Sequence, residues 1–568
     1  MPYFDRFPSF LTAILLTSLA FAKHPKLAAD LDVSDPETVV TVIVKVKAAV
    51  NQRALDKMKS HGAAHIARLD LISSHLVRIA AGELETLAAD GDIESIAPDR
   101  QVTGTKYAGG PDYGWMVTQG INSTYGSLPY DGTGIGIAFL DSGLGMDEDL
   151  RDAAGNSRVV QRDDFTGTTV EDSHGHGTLV AGVLAGNGGR SNLSNGTYLV
   201  RGMAPNANLV SLKVLNDQGV GTDSSVIAGI NQAIALKSKY NIRVLNLSLG
   251  RPIASSYATD PLCQAVQAAW NAGIVVVVAA GNDGRNNTKS TNGYGTISSP
   301  ANSPYAITVG AYNTSATLPV GDDKMTSYSS KGPTNIDHIA KPDLVAPGNR
   351  ILSIRNVGSY LDGTHPDNIV PMSAYTTSTK KASASHYFQL SGTSFAAPMV
   401  SGAAALLIQK NPLLTPDQVK AILMKTATRM PQGTSTAVDP VTGTQYLITN
   451  DIFTVGAGLL NVSAALGSKD MLSGSALSPT AVYNASNGTV GLQFVNGSGL
   501  VWGTGLVWGT GLVWGTNTIQ GSGLVWGTGL VWGTSSSAGF GLVWGTGLVW
   551  GTGSAAIEAE TVSLNGEN

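Results

Sequence analysis

The stretch "IGIAFLDSG", residues 135–143, is an apolar run that ends in Asp141, a serine and a glycine. Four further apolar runs follow it, and helical patterns separate them: "NLVSLKVL" (208–215), "RVLNLSLG" (243–250), "IVVVVAA" (274–280) and "AITVGAY" (306–312). Continuous apolar strands that alternate with helices are typical of a parallel sheet covered on both faces. The sequence therefore predicts an α/β fold of three layers, with a mostly parallel twisted sheet between helices on both faces.

Four polar residues stand where sites form in such folds, beyond the end of a strand or at the start of a helix. Asp141 follows the first apolar run, and Asn282 follows "VVVVAAG". His176 opens a small-residue helix, and Ser394 lies in the first turn of a long apolar helix, where the helix dipole favours developing negative charge. Each residue alone is equally consistent with a turn, a cap or a packing residue. Only the four residues together indicate a catalytic site.

That combination has a family resemblance. The segments "GTGIGIAFLDSGL", "DSHGHGTLVAG", "VLNLSLG", "VVVVAAGND" and "LSGTSFAAPMVSGAAALL", in this order, resemble the signature blocks of the subtilisin-like serine proteases, the subtilases or peptidase S8 family. The resemblance implies a serine endopeptidase that cleaves protein or peptide substrates through an acyl-enzyme intermediate. Asp141 would orient the base, His176 would act as general base and then acid, and Ser394 would be the nucleophile. Asn282 would donate a hydrogen bond to the oxyanion, together with the backbone N–H of Ser394.

Two histidines lie one glycine apart in "DSHGHGTLVAG", residues 172–182. The family pattern uses the histidine directly before Gly-Thr at the helix start, which is His176. A serine hydroxyl is a poor nucleophile unless a neutral imidazole takes its proton. His174, in the preceding loop, is therefore predicted to be a structural neighbour.

The resemblance also implies a substrate cleft made of three short segments. One segment is an edge that pairs with an extended peptide, and the other two are the walls of the primary specificity pocket. These substrate-binding residues are Gly219, Val220 and Gly221 at the edge, and Ser248, Leu249, Gly250, Ala279, Ala280 and Gly281 in the walls.

The first 22 residues, "MPYFDRFPSFLTAILLTSLAFA", run from a short polar head through an apolar stretch to small residues, as a secretory signal peptide does. The alternative is a buried helix of the first domain. Residues 23–107 then follow a β-α-β-α-β pattern, which predicts a small α+β domain; its strands are expected at 38–46, 75–81 and 93–98, and its helices at 51–62 and 82–91.

The α+β domain resembles the inhibitory propeptide that precedes subtilase domains, which implies a self-processing zymogen with its own propeptide as an inhibitor. The junction is expected between residues 101 and 115, and Tyr107 is an attractive residue to precede the cut. The peptidase domain is then predicted at 108–470, and a C-terminal extension at 471–568.

Composition limits the partners of the protein. Charged residues make up 14% of the chain and the net charge is −5, whereas soluble domains average about 25% charged residues. Nucleic acid is therefore not an expected partner. No segment after the signal has the ~18 apolar residues of a transmembrane helix. We expect a secreted protein, either extracellular or attached to a cell surface.

Cys263 is the single cysteine, which excludes an intrachain disulfide and favours a buried structural thiol.

No metal ligand is predicted. Many subtilases hold a structural calcium ion through a compact asparagine loop, but the stretch after the His176 helix, "AGNGGRSNLSNGTYLVRG" (185–202), does not show that loop. Asp149, in "MDEDL", is the only recognisable remnant of that constellation. A structural calcium ion is therefore left open by the sequence but not supported by this loop, and no other cofactor is expected.

The extension contains seven copies of "GLVWGT", starting at residues 499, 505, 511, 523, 529, 541 and 547, and two six-residue interruptions keep the register. The pattern favours three-residue strands with turns every six residues, which leaves a β-solenoid or an unfolded repeat. The Trp residues either form an outward stripe that binds a cell-surface ligand or pack against the peptidase domain. The sequence is also compatible with a non-catalytic surface protein on a protease scaffold, or with a subtilase whose tail is a disordered processing segment.

Overall fold

The structure is a computed structural model of the chain. It describes residues 23–47, 51–104, 130–192, 199–288, 290–315, 317, 320–376, 385–430, 433–470, 474–484 and 489–493, four residues of the repeats and Glu567. The predicted signal at 1–22, Tyr107 and most of the repeats lie outside the described residues.

Residues 23–104, which we call the N-terminal unit, build a small α+β domain, as the sequence predicts. Four antiparallel strands form a sheet in the order β2-β3-β1-β4, and two helices accompany it. Apolar side chains of this unit form their own core, among them Val44, Val77 and Ile96. The elements are β1 (Val39–Val46), α1 (Asn51–Ser60), β2 (Ala64–Leu69), β3 (Ser74–Ala80), α2 (Leu84–Ala89), β4 (Ile93–Pro98) and β5 (Gln101–Gly104).

Residues 130–493, which we call the large domain, contain the remaining regular elements before the repeats. The strands are β6 (Gly136–Asp141), β7 (Val159–Asp164), β8 (Asn208–Lys213), β9 (Val220–Thr222), β10 (Ile242–Leu247), β11 (Leu249–Gly250), β12 (Val275–Ala279), β13 (Ile307–Asn313), β14 (Lys324–Met325), β15 (Leu344–Pro347), β16 (Ile351–Ile354), β17 (Tyr387–Leu390), β18 (Thr434–Val438), β19 (Gln445–Thr449), β20 (Thr480–Asn484) and β21 (Thr489–Gln493). The helices are α3 (His176–Ala185), α4 (Asp223–Ala235), α5 (Lys237–Tyr240), α6 (Pro261–Asn271), α7 (Tyr360–Thr364), α8 (Thr393–Lys410), α9 (Pro416–Thr426), α10 (Ile452–Val455) and α11 (Val462–Gly467).

An eight-stranded sheet forms the centre of the large domain, in the order β14-β13-β12-β10-β6-β8-β7 with β15 also paired to β13. All of its strand pairs are parallel except β13–β14. Every residue of Val275–Ala279 is buried, as expected for a strand with both faces covered. Helices α3 and α8 pack together against the sheet, and so do α4 and α6. The predicted three-layer α/β fold is confirmed.

The single cysteine lies on α6 and is part of the packing. Asp260 caps this helix by accepting from the N–H of Leu262 at 3.0 Å, and Pro261 is its first residue. The Cys263 thiol is buried and donates to Asn302 Oδ1 at 3.1 Å, and burial raises its pKa well above the ordinary value. A thiol held in this way is a structural group, as predicted.

The chain remains attached to the large domain beyond residue 470. Ser478 donates to Asp343 Oδ1 at 2.6 Å and accepts from Lys420 Nζ at 2.7 Å, and all three side chains are buried. The hairpin of β20 and β21 follows, and the N–H of Ala481 donates to the carbonyl of His338. A chain that ended at residue 470 would therefore lack a hydroxyl from a buried ion network.

Two pairs of repeat residues are described, Leu524–Val525 and Val531–Trp532, and they pair as short antiparallel strands. Within the described part of the chain, no helix combines the length and the apolar character needed to cross a membrane.

Candidate active site

Strand β6 ends at Asp141, and helix α3 begins at His176, so the parallel sheet brings the two side chains together. Asp141 Oδ1 and His176 Nδ1 are 2.5 Å apart, and both side chains are fully buried. The same carboxylate oxygen accepts from the N–H of Ser142 at 2.8 Å. A carboxylate bonded at Nδ1 holds the imidazole in one orientation and leaves Nε2 to meet a hydroxyl.

A second carboxylate, which the sequence reasoning missed, builds the loop before the histidine. Asp172 accepts from the N–H of Gly175 (2.7 Å) and from the N–H and hydroxyl of Thr178 (2.8 and 2.6 Å). It also accepts from Ser142 Oγ at 2.7 Å, which links it to the end of β6. Asp172 therefore ties the N-terminus of α3 to the strand that carries Asp141. Its only signal in the sequence is its place at the head of "DSHGHGT".

Ser394 is the second residue of α8, and it is buried at the point where this helix meets the end of β10. Ser394 Oγ donates to the carbonyl of Ser248 at 3.1 Å, and Ser248 Oγ donates back to the carbonyl of Ser394 at 2.8 Å. The ring of Phe395 contacts the ring of His176 edge-on, with centroids 5.6 Å apart. The hydroxyl thus lies at the N-terminus of an 18-residue helix whose next residue, Phe395, contacts the imidazole.

Asn282 lies three residues beyond the end of β12 and is oriented by Thr393. Its Oδ1 accepts from both the N–H and the hydroxyl of Thr393, each at 3.0 Å, and Thr393 Oγ1 accepts from the N–H of Gly281 at 3.2 Å. With Oδ1 engaged in this way, Nδ2 is the end of the amide that can donate into the cleft. Thr393 thus positions Asn282, a role that the sequence reasoning did not assign.

His174 lies beside the cleft and stacks on Tyr360, with ring centroids 5.7 Å apart. A Cβ at Gly219 would come within 2.8 Å of its Nε2, so the imidazole packs against the cleft edge. Burial, and secondly the charge of His176, lower the pKa of His174 to about 4. The ring is therefore neutral at ordinary pH and fills space next to the edge strand.

The predicted edge and one predicted wall of the cleft form a sheet with the N-terminal unit. Strand β5 pairs antiparallel with β9 on one side and with β11 on the other. Thr103 lies opposite Val220 and Gly250, and Val102 lies opposite Gly221. Gln101–Gly104 therefore occupy the position of an extended peptide between Gly219–Gly221 and Ser248–Gly250.

The third predicted segment, Ala279–Gly281, is fully buried and lies where β12 ends. Gly281 has φ +108°, and a Cβ there would come within 2.8 Å of Ser330 Oγ. A Cβ at Gly250 would likewise come within 2.6 Å of Ser298 Oγ. Two serine hydroxyls thus approach the glycines of the two walls, and a larger residue at either glycine would displace them.

The Asp149 carboxylate is bound by protein groups, and residues 193–198 of the neighbouring loop lie outside the described part of the chain. Asp149 Oδ1 accepts from the N–H of Arg190 at 2.6 Å and Oδ2 from the hydroxyl of Tyr387 at 2.7 Å; burial raises the pKa of this carboxyl to about 6. The buried Arg158 guanidinium donates to four backbone carbonyls, of which three are buried: those of Asp149 (2.8 Å), Ala185 (2.5 Å) and Ala207 (2.9 Å), besides that of Arg151 (3.2 Å). A protein cation thus satisfies the backbone oxygens beside Asp149. Over the residues that the structure describes, no cluster of three or more His, Cys, Asp or Glu could hold a metal.

Comparison with known proteins agrees with this geometry. A family model for the subtilase family matches residues 132–456. Serine protease AprX from Bacillus subtilis is 40% identical over 304 residues, which cover 51% of this chain and 61% of AprX. Subtilisin DY from Bacillus licheniformis is 32% identical over 336 residues, 59% of this chain and 92% of that protein. Subtilisin E from Bacillus subtilis is 29% identical over 451 residues, 79% of this chain and 96% of that protein.

Among solved structures, fervidolysin from Fervidobacterium pennivorans, a keratinolytic enzyme related to subtilisin, has the same fold. The TM-score is 0.56 at 22% identity, and the match covers 78% of this chain and 63% of fervidolysin.

Proposed function

The chain belongs to the subtilase family of serine endopeptidases, and we propose that it is a secreted enzyme made as a zymogen, whose N-terminal unit blocks the cleft until the enzyme cuts it off. The observation that carries the proposal is strand β5, which lies between β9 and β11 where an extended substrate would bind.

In this mechanism Ser394 Oγ attacks the carbonyl carbon of the scissile bond while His176 Nε2 accepts its proton. Asp141 stabilises the imidazolium through the 2.5 Å contact at Nδ1. The tetrahedral intermediate carries an oxyanion, which accepts from Asn282 Nδ2 and from backbone N–H at the start of α8. His176 then gives the proton to the leaving amine, and the acyl-enzyme is hydrolysed by water through the same proton path.

Contacts outside the cleft support an inhibitory role for the N-terminal unit. Asp99 accepts from the N–H and hydroxyl of Ser224 at the start of α4, at 2.8 and 2.6 Å. Ile43, Ile72 and Leu76 of this unit belong to the same apolar cluster as the core of the large domain. A unit held at a helix terminus, an apolar face and both cleft strands would compete strongly with substrate.

The register of β5 indicates where the chain is cut. Gly104 lies opposite Leu249, and the carbonyl of the neighbouring Ser248 accepts from Ser394 Oγ. Thr105 and Lys106 lie outside the described residues. Because the described pairing ends one residue before Thr105, we propose that the enzyme cuts between Thr105 and Lys106. This site is two residues before Tyr107, the residue favoured by the sequence.

The test is expression of the full chain alongside its Ser394→Ala variant. The wild type is expected to yield a mature form that begins at Lys106, as N-terminal sequencing would show, and the variant should remain uncut. A control with Ser401→Ala, a buried serine on the same helix, should still mature. A variant that matures alone would refute self-processing, and a mature form that begins elsewhere would refute the register argument while leaving self-processing intact.

For the extension we propose a separate role in attachment to a cell-surface ligand through the Trp residues of the repeats. A chain that ends after Gln493 keeps Ser478 and the β20–β21 hairpin, so it should retain peptidase activity and lose binding to cells. A chain that ends at residue 470 is a poorer test, because it removes Ser478 from the Asp343–Lys420 network. Loss of folding in the chain that ends after Gln493 would show that residues 494–568, which include the buried Glu567, belong to the core.

A further inference from the structure

One residue after the repeats is described, and it is deeply buried in the large domain. Glu567 is 1% exposed, although 73 residues separate it from the hairpin that ends at Gln493. A glutamate is almost never buried in this way without partners. Its contacts therefore show whether it lies in a specific site.

Both carboxylate oxygens of Glu567 are bound. Oε1 accepts from Arg285 Nη2 at 2.5 Å and from the hydroxyl of Ser327, and Oε2 accepts from the N–H of Ser327 at 2.8 Å. Arg285 is itself held, because its Nη1 donates to Asp439 at 2.7 Å and its guanidinium lies 4.1 Å from the centroid of the Tyr446 ring. Burial lowers the pKa of Arg285, but the neighbouring carboxylates of Glu567 and Asp439 outweigh it and raise that pKa overall.

The backbone of Glu567 is bound as well. Its N–H donates to Asn349 Oδ1 at 2.9 Å, and its carbonyl accepts from Asn349 Nδ2 at 3.0 Å and from Asn313 Nδ2 at 3.1 Å. One asparagine amide thus pairs with the N–H and C=O of a single residue, as a neighbouring strand would. Ser327, Asn313 and Asn349 are all less than 9% exposed.

We propose that Arg285, Asn313, Ser327 and Asn349 form a binding site for a glutamate together with its backbone amide groups, and that its ligand is Glu567 of the same chain. The β20–β21 hairpin contacts the large domain before the repeats, and Glu567 contacts it after them. The inference is independent of the proposed protease mechanism, because no member of this pocket belongs to the catalytic residues.

The pocket nevertheless adjoins the catalytic elements. Asn349 follows Gly348, whose carbonyl accepts from the N–H of Gly392, directly before α8, and from the hydroxyl of Tyr328. Arg285 lies three residues after Asn282. Release of Glu567 is therefore expected to loosen loops that border the active site.

The test uses the full chain with Ser394→Ala, so that self-digestion does not interfere, and measures hydrogen exchange. The N–H of Ser327 donates directly to Glu567, so peptides that contain Ser327 report on docking. Glu567→Ala should raise exchange there at least tenfold, and Glu567→Gln should raise it less, because an amide keeps one acceptor. Glu558→Gln, a second glutamate after the repeats, is the matched control and should have no effect.

Two further arms separate docking from general unfolding. Exchange in Val275–Ala279, at the centre of the sheet, should stay unchanged in every variant. Adding the peptide "TVSLNGEN", residues 561–568, to the Glu567→Ala chain should restore protection at Ser327, and the same peptide with glutamine in place of Glu567 should restore less of it. Unchanged exchange at Ser327, an equal rise in the Glu558→Gln control, or no rescue by the peptide would each overturn the proposal.

Discussion

Val102 offers a quantitative test of the proposal that the N-terminal unit inhibits the enzyme by occupying the cleft. Its side chain is fully buried and belongs to the apolar cluster of the large domain, although the residue lies on a strand of the N-terminal unit. Its backbone lies opposite Gly221. Val102→Ala leaves the backbone pairing in place and removes two methyl groups from a filled pocket.

The expected loss of binding free energy follows from the two buried methyl groups that the substitution removes. Each buried methyl group contributes ~0.8 kcal/mol, so two contribute ~1.6 kcal/mol, and incomplete closure of the cavity raises the loss toward ~2.5 kcal/mol. A tenfold change in affinity corresponds to ~1.4 kcal/mol. The inhibition constant of a separately produced segment 23–105 should therefore rise between about 15-fold and 60-fold on Val102→Ala.

The assay is hydrolysis of a peptide substrate by the mature enzyme, titrated with the segment at micromolar concentrations and below. Val39→Ala is the matched control, because it is the same chemical change at a side chain that is 59% exposed. It should shift the inhibition constant by less than about twofold. Equal inhibition by both variants would refute the placement of Val102 in the cleft, and no inhibition by the unsubstituted segment would refute its role as an inhibitor.

His176→Ala should lower kcat/KM by several orders of magnitude and His174→Ala only slightly; burial holds the pKa of His174 near 4, so its loss should leave the acidic limb of the pH–activity profile in place. A limb that moves in the His174→Ala variant would mean that this ring takes part in proton transfer. Asn282→Ala should lower kcat by about 10²–10³, the range measured when subtilisin loses an oxyanion-hole donor; a change confined to KM would contradict the oxyanion role. A chelator should leave the melting temperature within ~2 °C, whereas Arg158→Met should destabilise the enzyme by at least ~3 kcal/mol, because three buried carbonyls lose their donor. Strong destabilisation by the chelator alone would show that a metal ion supports the fold.

The parallel sheet could be predicted from sequence because a strand with both faces covered must be apolar throughout. Val275–Ala279 and residues 136–140 both fulfil this requirement, and the ends of such runs then predict where Asp141 and Asn282 lie. Strand β2 of the N-terminal unit was missed, since Ala64–Leu69 is mostly exposed and carries no apolar alternation. A strand can be predicted from sequence when one or both of its faces are buried, because burial imposes an apolar pattern on its residues.

Residues that position others could not be predicted in this way. Thr393 and Asp172 act through hydrogen bonds to groups 111 and 30 residues away along the chain, and no periodicity connects them. The role of Arg158 depends on three carbonyls that come together only in the fold. Glu567 likewise has partners more than 200 residues distant. A single sequence shows which residue types are present, but it does not show which of them lie within hydrogen-bonding distance in the fold.

The pairing of β5 with both β9 and β11 also indicates which proteins this enzyme can cut, because a substrate must bind between the same two strands. Any occupant must leave its own secondary structure over at least three or four residues, because both of its edges are needed for pairing with the cleft. Each residue that leaves a folded structure loses the native interactions that had compensated for the ~1–2 kcal/mol entropy cost of ordering its backbone. Cleavage of a compact protein therefore proceeds through its locally opened state, and its rate follows the population of that state. By this reasoning the enzyme discriminates among targets by their local stability as well as by their side chains, so well-folded proteins persist while unfolding ones are degraded.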